Sequence, residues 1–265
     1  MKTNRIAYLG DKYTHTYAAA VKFASDGDEL VGYHTIHASI DAALSGECDL
    51  AVAPIENSCG GSVTDTLDAL RALPIYILRE TVLHVPQHLI SVKGAVKSGI
   101  KTIYSHPQAL AQCDGYLRSE FPDTETIAVS STAEALALAT DPTKAAIARF
   151  PSDGQEIIEN EVEDVKNNST RFVLLSREPG AGGDKCSVIF ETPNRPGALT
   201  EALSLFGRYG LNMTKIESRP HRSELGRYVF FVDFECGERS PATVLEELSR
   251  HASSIKFLGQ YSRTE

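Results

Sequence analysis

The sequence predicts an α/β protein in two parts: a mostly parallel sheet covered by helices, then a separate β-α-β-β-α-β unit. Three observations carry this. Short apolar runs alternate with helical patterns over the first 176 residues, which is how a parallel sheet with crossover helices reads. A Pro/Gly-rich stretch, "REPGAGGDK", then interrupts the pattern. Beyond it the order of elements changes, and strands follow one another without an intervening helix.

Taken in order, "RIAYL" reads as a strand and "YTHTYAAAVKFA" as a helix. "ELVGY" is a strand, and "SIDAALSGE" a helix with Ser39 placed to cap it. "DLAVAPI" is a buried strand. "SVTDTLDALRAL" is a helix with Val63, Leu67 and Leu70 on one face and Ser62 and Asp65 at capping positions. A longer extended region, "IYILRETVLHVPQHLISV", breaks the rhythm and suggests a passage into a second lobe. There "KTIY" is a strand and "PQALAQCDGYLRSEF" one helix with Pro107 in its first turn. "ETIAV", "STAEALALAT" and "KAAIAR" continue as strand, helix and strand, and "STRFVLLS" closes the run. After the linker come the strand "CSVIFET" and the helix "GALTEALSLFGRY", with Leu199, Leu203 and Phe206 at helical spacing and Gly210 as its stop. Then follow "NMTKIES" and "GRYVFFVDFEC", whose Tyr228, Phe230, Val232 and Phe234 share a face. The helix "SPATVLEELSRHA" and the strand "SIKFLGQY" complete a ferredoxin-like unit. The expected boundaries are 1–178 (lobes of about 1–76 with 162–178, and 77–161), a linker at 179–184, and 185–265.

Composition narrows the function classes. The net charge is −9, from 26 basic and 35 acidic residues, which disfavours nucleic acid or anionic lipid as a partner. The acidic cluster Glu156–Asp164 reads as a solvated face. No apolar stretch approaches the roughly 20 residues that span a bilayer. The five cysteines are odd in number and widely spaced, with no CxxC pair, so neither a disulfide framework nor a metal site is expected. These features fit a soluble protein of a reducing, cytoplasmic compartment. There is no GxGxxG, Walker loop, HExxH or GxSxG, and no cofactor is expected.

Polar residues collect where strands hand over to helices. Thr14 and Thr16 follow the first strand, and Glu56, Asn57 and Ser58 follow a later one. Ser105, His106 and Gln108 follow a third, and Ser130, Ser131 and Thr132 a fourth. In an open parallel sheet such turns share the edge where ligands bind, and helix N-termini there attract anions. Singly, each has a plainer reading: the serines as N-caps, His106 as a turn residue, Gly60 and Gly61 as turn formers, Arg171 as a surface ion pair. Jointly they favour a small-anion site, with Arg171 offering a bidentate grip on a carboxylate.

The motifs "PIENSCGGSVTDTLDAL", "YSHPQALAQC", "SSTAEA" and "NNSTRFVLLS" resemble the prephenate dehydratase domain, and "RPGALTEAL" with "KIESRP" resembles the phenylalanine-binding ACT domain that follows it. The likeness covers nearly the whole chain. It implies a two-lobed, type II periplasmic-binding-protein-like catalytic domain with its cleft between the lobes. It implies conversion of prephenate to phenylpyruvate, with loss of water and carbon dioxide, in L-phenylalanine biosynthesis. Thr170 matches the family's catalytic threonine. Thr14, Thr16, Glu56, Asn57, Ser58, Ser105, His106, Gln108, Ser131, Thr132, Arg171 and Phe172 match the substrate cleft. Gly197, Ala198, Leu199, Asn212, Glu217, Ser218, Arg219 and Pro220 match the allosteric phenylalanine site at a dimer interface, in a homodimer or homotetramer. The first motif departs from the family, since "GDKYTHT" has Asp11, Tyr13 and His15 where Pro, Gly and Phe are usual. Alternatives are an aromatic-acid sensor without catalysis, a prephenate decarboxylase-type lyase, and an enzyme preferring arogenate.

Overall fold

The structure, a computed structural model, describes residues 3–12, 14–221, 226–237 and 240–264; Tyr13 of the departing motif lies outside them. The chain folds as two compact units. One comprises residues 1–56, 62–82 and 171–265, and the other residues 57–61 and 83–170. This differs from the expected boundaries in two ways. The second unit takes in residues 57–61, and its main segment runs from Leu83 to Thr170 because the strands at 76–84 and 169–176 are long and straddle the divisions. The βαββαβ unit also does not stand apart, since it shares a sheet and a core with the N-terminal elements.

The first unit opens with β1 (Arg5–Leu9), α1 (His15–Phe23), β2 (Glu29–Tyr33), α2 (Ile36–Ser45), β3 (Leu50–Asn57), β4 (Gly61–Ser62), α3 (Thr64–Ala72) and β5 (Tyr76–His84). β1 pairs in parallel with both β2 and β3, as the alternation predicts. The capping details differ. Thr35, not Ser39, caps α2, accepting from the Ala38 N–H at 3.0 Å. Ser39 is buried within that helix and donates to the Ile36 carbonyl. The N-cap position of α3 is Val63, without a side-chain cap, which leaves the Ser62 hydroxyl for another use described below.

The second unit holds β6 (His88–Val92), β7 (Thr102–Ser105), α4 (Pro107–Gln112), α5 (Asp114–Glu120), β8 (Glu125–Ala128), α6 (Thr132–Leu138), β9 (Lys144–Ala148) and β10 (Gln155–Glu159). Its five-stranded sheet has the order β10-β6-β9-β7-β8. The single helix expected after Pro107 is two. Cys113 departs from helical geometry, and Asp164 accepts from the Gly115 and Tyr116 N–H groups to start α5 anew. The acidic cluster is not only a solvated face. Part of it is the edge strand β10, and Glu163 is buried, accepting from the Gln87 N–H at 2.8 Å.

The chain returns through β11 (Ser169–Ser176) and continues as β12 (Lys185–Glu191), α7 (Ala198–Arg208), β13 (Asn212–Pro220), β14 (Tyr228–Glu235), α8 (Ala242–His251) and β15 (Ser254–Arg263). The ten-stranded sheet runs β13-β14-β12-β15-β5-β11-β3-β1-β2, with β4 paired to β3. β15 lies parallel to β5, pairing Ser262 with Arg79 and Arg263 with Glu80. This close approach needs Gly259, where a Cβ would sit 2.3 Å from the Ile77 carbonyl oxygen. Phe190, Phe230, Val232 and Phe234 pack on α7 and α8. Ile189, Val229, Phe231, Leu258 and Tyr261, from the other face, join the core built by Leu67, Leu70, Ile75, Ile77, Val173 and Leu175. Among the described residues no helix is long and apolar enough to cross a membrane.

Candidate active site

Asn57 organises the polar cluster of the second unit. Its Oδ1 accepts from the backbone N–H of Cys59 at 3.0 Å and of Gly60 at 2.7 Å. Backbone N–H groups only donate, so the atom facing them is the oxygen, and the amide orientation is thereby determined. Nδ2 then points the other way, donating to Asn168 Oδ1 at 2.7 Å and to Thr170 Oγ1 at 2.9 Å. Thr170 therefore accepts from Asn57, and its own hydroxyl hydrogen is not spent on that bond. Asn168, itself buried, passes the polarity on by donating to Gln112 Oε1 at 3.1 Å. Ser58 accepts from the Ser169 N–H at 2.9 Å and so ties the loop to the start of β11. The Gln108 amide nitrogen comes so close to Gly60 that an added Cβ would lie 3.0 Å away.

The other expected residues of this unit take supporting roles. Ser105 is buried and donates to the Ile147 carbonyl at 2.6 Å, which uses its hydrogen on the neighbouring strand. His106 caps α4 through Nδ1, and Ser131 caps α6, with Glu134 closing the cap by accepting from Ser130. Thr132 is exposed as the first residue of α6. Asn168 stands in the motif "NNSTRFVLLS" with no role expected of it, and Gln112 was not singled out. The signal for Asn168 was a polar residue directly before an apolar strand, and Gln112 offered none.

In the first unit, Arg171 corrects the sequence reading. Successive side chains of a strand point to opposite faces, so Arg171 cannot share a face with Thr170. Its guanidinium is buried among Glu80 (Nη1–Oε2, 3.0 Å), Asp233 (Nη2–Oδ2, 2.7 Å) and Glu56 (Nη2–Oε2, 3.2 Å). The Asp233 and Glu56 contacts are ionic, without hydrogen-bond alignment, and Nε has no hydrogen-bond partner among the described residues either. Burial works against the guanidinium charge, but Asp233, Tyr261 and Glu80 outweigh it and hold the Arg171 pKa above the ordinary arginine value. Lys185 pairs with Glu80 at 2.9 Å and Lys215 with Glu56 at 3.0 Å. Protein carboxylates thus already neutralise the charge that a substrate carboxylate would need. Phe172 is likewise buried, 1% exposed, as a core residue rather than a pocket lining. Thr14 caps α1, accepting from the Tyr17 N–H at 3.1 Å, and Thr16 is buried in the same helix.

A cavity of about 190 Å³ lies at the start of α7. Gly197, Ala198 and Leu199 line it together with Arg195, Arg227 and Tyr228. Gly197 takes φ +82°, a left-handed conformation that admits this turn into the helix. Asn212, Glu217, Ser218, Arg219 and Pro220 are not among its lining residues. Asn212 donates to Glu235, Glu217 accepts from Ser62, and Arg219 reaches Thr64 and Asp68. Strand alternation again explains this: Glu217 and Arg219 project toward α3 and its approach, leaving Ser218 and Pro220 exposed on the opposite face.

The class is that of an α/β scaffold presenting an amide-oriented hydroxyl, continued by a βαββαβ unit that has a small cavity of its own. Residues 6–180 match the family model for prephenate dehydratase, and residues 187–252 match that of the ACT domain. The chain belongs to the prephenate dehydratase family, with the periplasmic-binding-like α/β fold followed by the ferredoxin-like ACT domain. A prephenate dehydratase of Amycolatopsis methanolica is 36% identical over 99% of this chain and 90% of its own length. Among solved structures, a prephenate dehydratase of Arthrobacter aurescens in complex with L-Phe is 32% identical with a TM-score of 0.85, over 98% of this chain and 90% of that one. GqqA, described as a novel type of quorum quenching acylase, is 28% identical with a TM-score of 0.83, over 97% of both chains.

Proposed function

We infer that this protein is a prephenate dehydratase controlled by L-phenylalanine. The carrying observation is the polarity of the Asn57–Thr170 bond, with the hydroxyl oxygen as acceptor. In the reaction the ring carboxylate departs as carbon dioxide. Its bonding pair enters the ring, the C–O bond opposite breaks, and the departing hydroxide takes up a proton to leave as water. Aromatisation drives the step, so the protein need only bind, orient and assist the hydroxide. A threonine oxygen that accepts from a fixed amide keeps its own hydrogen for the charge developing on that hydroxide. The Gln108 amide, beside Gly60, is a donor for a substrate carboxylate.

Thr170→Ala is expected to lower kcat by about 100- to 1000-fold with KM changed less than about threefold, the signature of an interaction made in the transition state. The measurement is phenylpyruvate absorbance in alkali after incubation with prephenate, with and without L-phenylalanine. Unchanged prephenate would support the sensor, a non-aromatic product the decarboxylase, and faster turnover of arogenate the altered substrate preference. The acylase relative raises a nucleophilic reading of Thr170. Its hydroxyl is met by an amide donor, and a nucleophile needs a base that accepts its hydrogen, so the geometry favours hydrogen-bond assistance. The cavity at Gly197–Leu199 is the proposed L-phenylalanine site, supported by the L-Phe complex of the Arthrobacter aurescens relative. The reading includes a cytoplasmic homodimer or homotetramer, on the family resemblance and on cysteines that are free among the described residues.

A further inference from the structure

We propose that Lys215, a residue of the ACT domain, is a positioning residue for the reaction, because it staples the base of the loop that carries Asn57. The inference rests on the dehydratase reading and extends it to a residue outside the catalytic domain. The loop runs from Asn57 to Gly61, flanked by Glu56 and Ser62. Lys215 Nζ pairs with Glu56 Oε1 at 3.0 Å and donates to Ser62 Oγ at 2.7 Å. One ammonium thus holds both ends of the loop. Ser62 in turn donates to Glu217 Oε2 at 2.9 Å, so a second residue of β13 secures the same anchor.

The chemistry of the contact suits this role. The Lys215 side chain is only 7% exposed, so its ammonium is poorly solvated and must take its hydrogen bonds from protein. A carboxylate and a hydroxyl that have already accepted this ammonium lose freedom to shift. The loop between them sets Asn57 Oδ1 against the N–H groups of Cys59 and Gly60, and that contact decides which atom Thr170 meets. Displacement of a hydrogen-bonding group by about 1 Å costs on the order of 100-fold in rate. Ser62 is also free for the staple because α3 takes no side-chain cap from it.

The test compares Lys215→Met, Lys215→Arg and Ser62→Ala with the wild type in the full chain. Amide exchange at Cys59 and Gly60 reads loop order without reference to activity. Prephenate turnover by the wild type tests the dehydratase reading separately. Lys215→Met is expected to speed exchange at both amides at least tenfold and to lower kcat at least tenfold, with KM within threefold. Lys215→Arg is expected to restore both to within threefold of wild type. Ser62→Ala, a smaller change that keeps the ion pair to Glu56, is expected to fall between and serves if Lys215→Met does not fold. Exchange at Cys59 and Gly60 within twofold of wild type in folded Lys215→Met or, failing that, in Ser62→Ala overturns the proposal. So does an Arg substitution as damaging as Met.

Discussion

Asn57 shows how a single rotation of an amide decides what a neighbour can do. Two backbone donors hold its oxygen, and everything downstream follows from that: Thr170 accepts, and its hydrogen is available. The arrangement makes Asn57→Asp informative. One carboxylate oxygen still serves Cys59 and Gly60, but the other replaces a donor with an acceptor and captures the Thr170 hydrogen. Steady-state kinetics at neutral pH should show kcat lower by about 100-fold with KM nearly unchanged. If Asn57→Asp keeps full kcat, the hydrogen of Thr170 is not what the reaction uses. Arg171, next in sequence, teaches the opposite lesson. A hydroxyl and a guanidinium adjacent in a strand serve different faces, so the sequence neighbours are functional strangers.

Among the elements, β14 and β15 depart furthest from an ordinary βαββαβ unit. "YVFFVDFE" is a nearly continuous apolar run, and such runs mark strands buried on both faces. Phe230, Val232 and Phe234 meet the helices while Val229 and Phe231 meet the N-terminal core. The alternation read from the sequence had accounted for only the first set. β15 also supplies Lys256, whose Nζ donates to the carbonyls of Leu70, Arg71 and Leu73 at the end of α3. Those carbonyls have no helical partner of their own, and a cation there is worth up to about 2 kcal/mol. Lys256→Met should lower Tm by a few degrees, seen by calorimetry, and leave kcat within twofold. Burial pulls the Lys256 pKa below the ordinary lysine value, so the unfolded chain keeps this proton to higher pH than the folded one. The stability linked to it therefore rises as pH climbs toward about 10.4, and the Tm gap between wild type and variant should widen, not close, on that limb.

On the scale of the whole molecule, a charge-balanced cluster ties the ACT domain to the strand that carries Thr170. Arg171, Lys185 and Lys215 face Glu56, Glu80 and Asp233, and Ser187 joins Asp233 to Tyr261. Removing one member of a buried ion cluster leaves the others uncompensated, at a cost of about 3–5 kcal/mol. Arg171→Met should accordingly lower Tm far more than Lys256→Met, and a Tm within two degrees of wild type would show that the cluster is not structural. The expected domain map had the ACT unit as a separate body beyond a linker. The linker is present at 179–184, yet the chain on either side of it closes into one unit.

The sequence by itself determined most of the elements, their order and the family, but not the break at Cys113 or the edge strand β10. Apolar periodicity is local, and it tells each segment which structure buries its own face. It also exposed the polar turns from which Asn57 and Ser58 were drawn, while Thr170 came from the likeness of "NNSTRFVLLS" to the family. Only the tertiary structure decided which of those residues meet, because the Asn57–Thr170 bond joins positions 113 residues apart and no local pattern encodes such a contact. The same holds for Arg171, whose charge looked free in the chain and is neutralised by Glu80 and Asp233, 91 and 62 residues away in sequence. A buried charge must find its partners wherever the fold brings them, and that choice is made when the sheet closes, not when the strand forms.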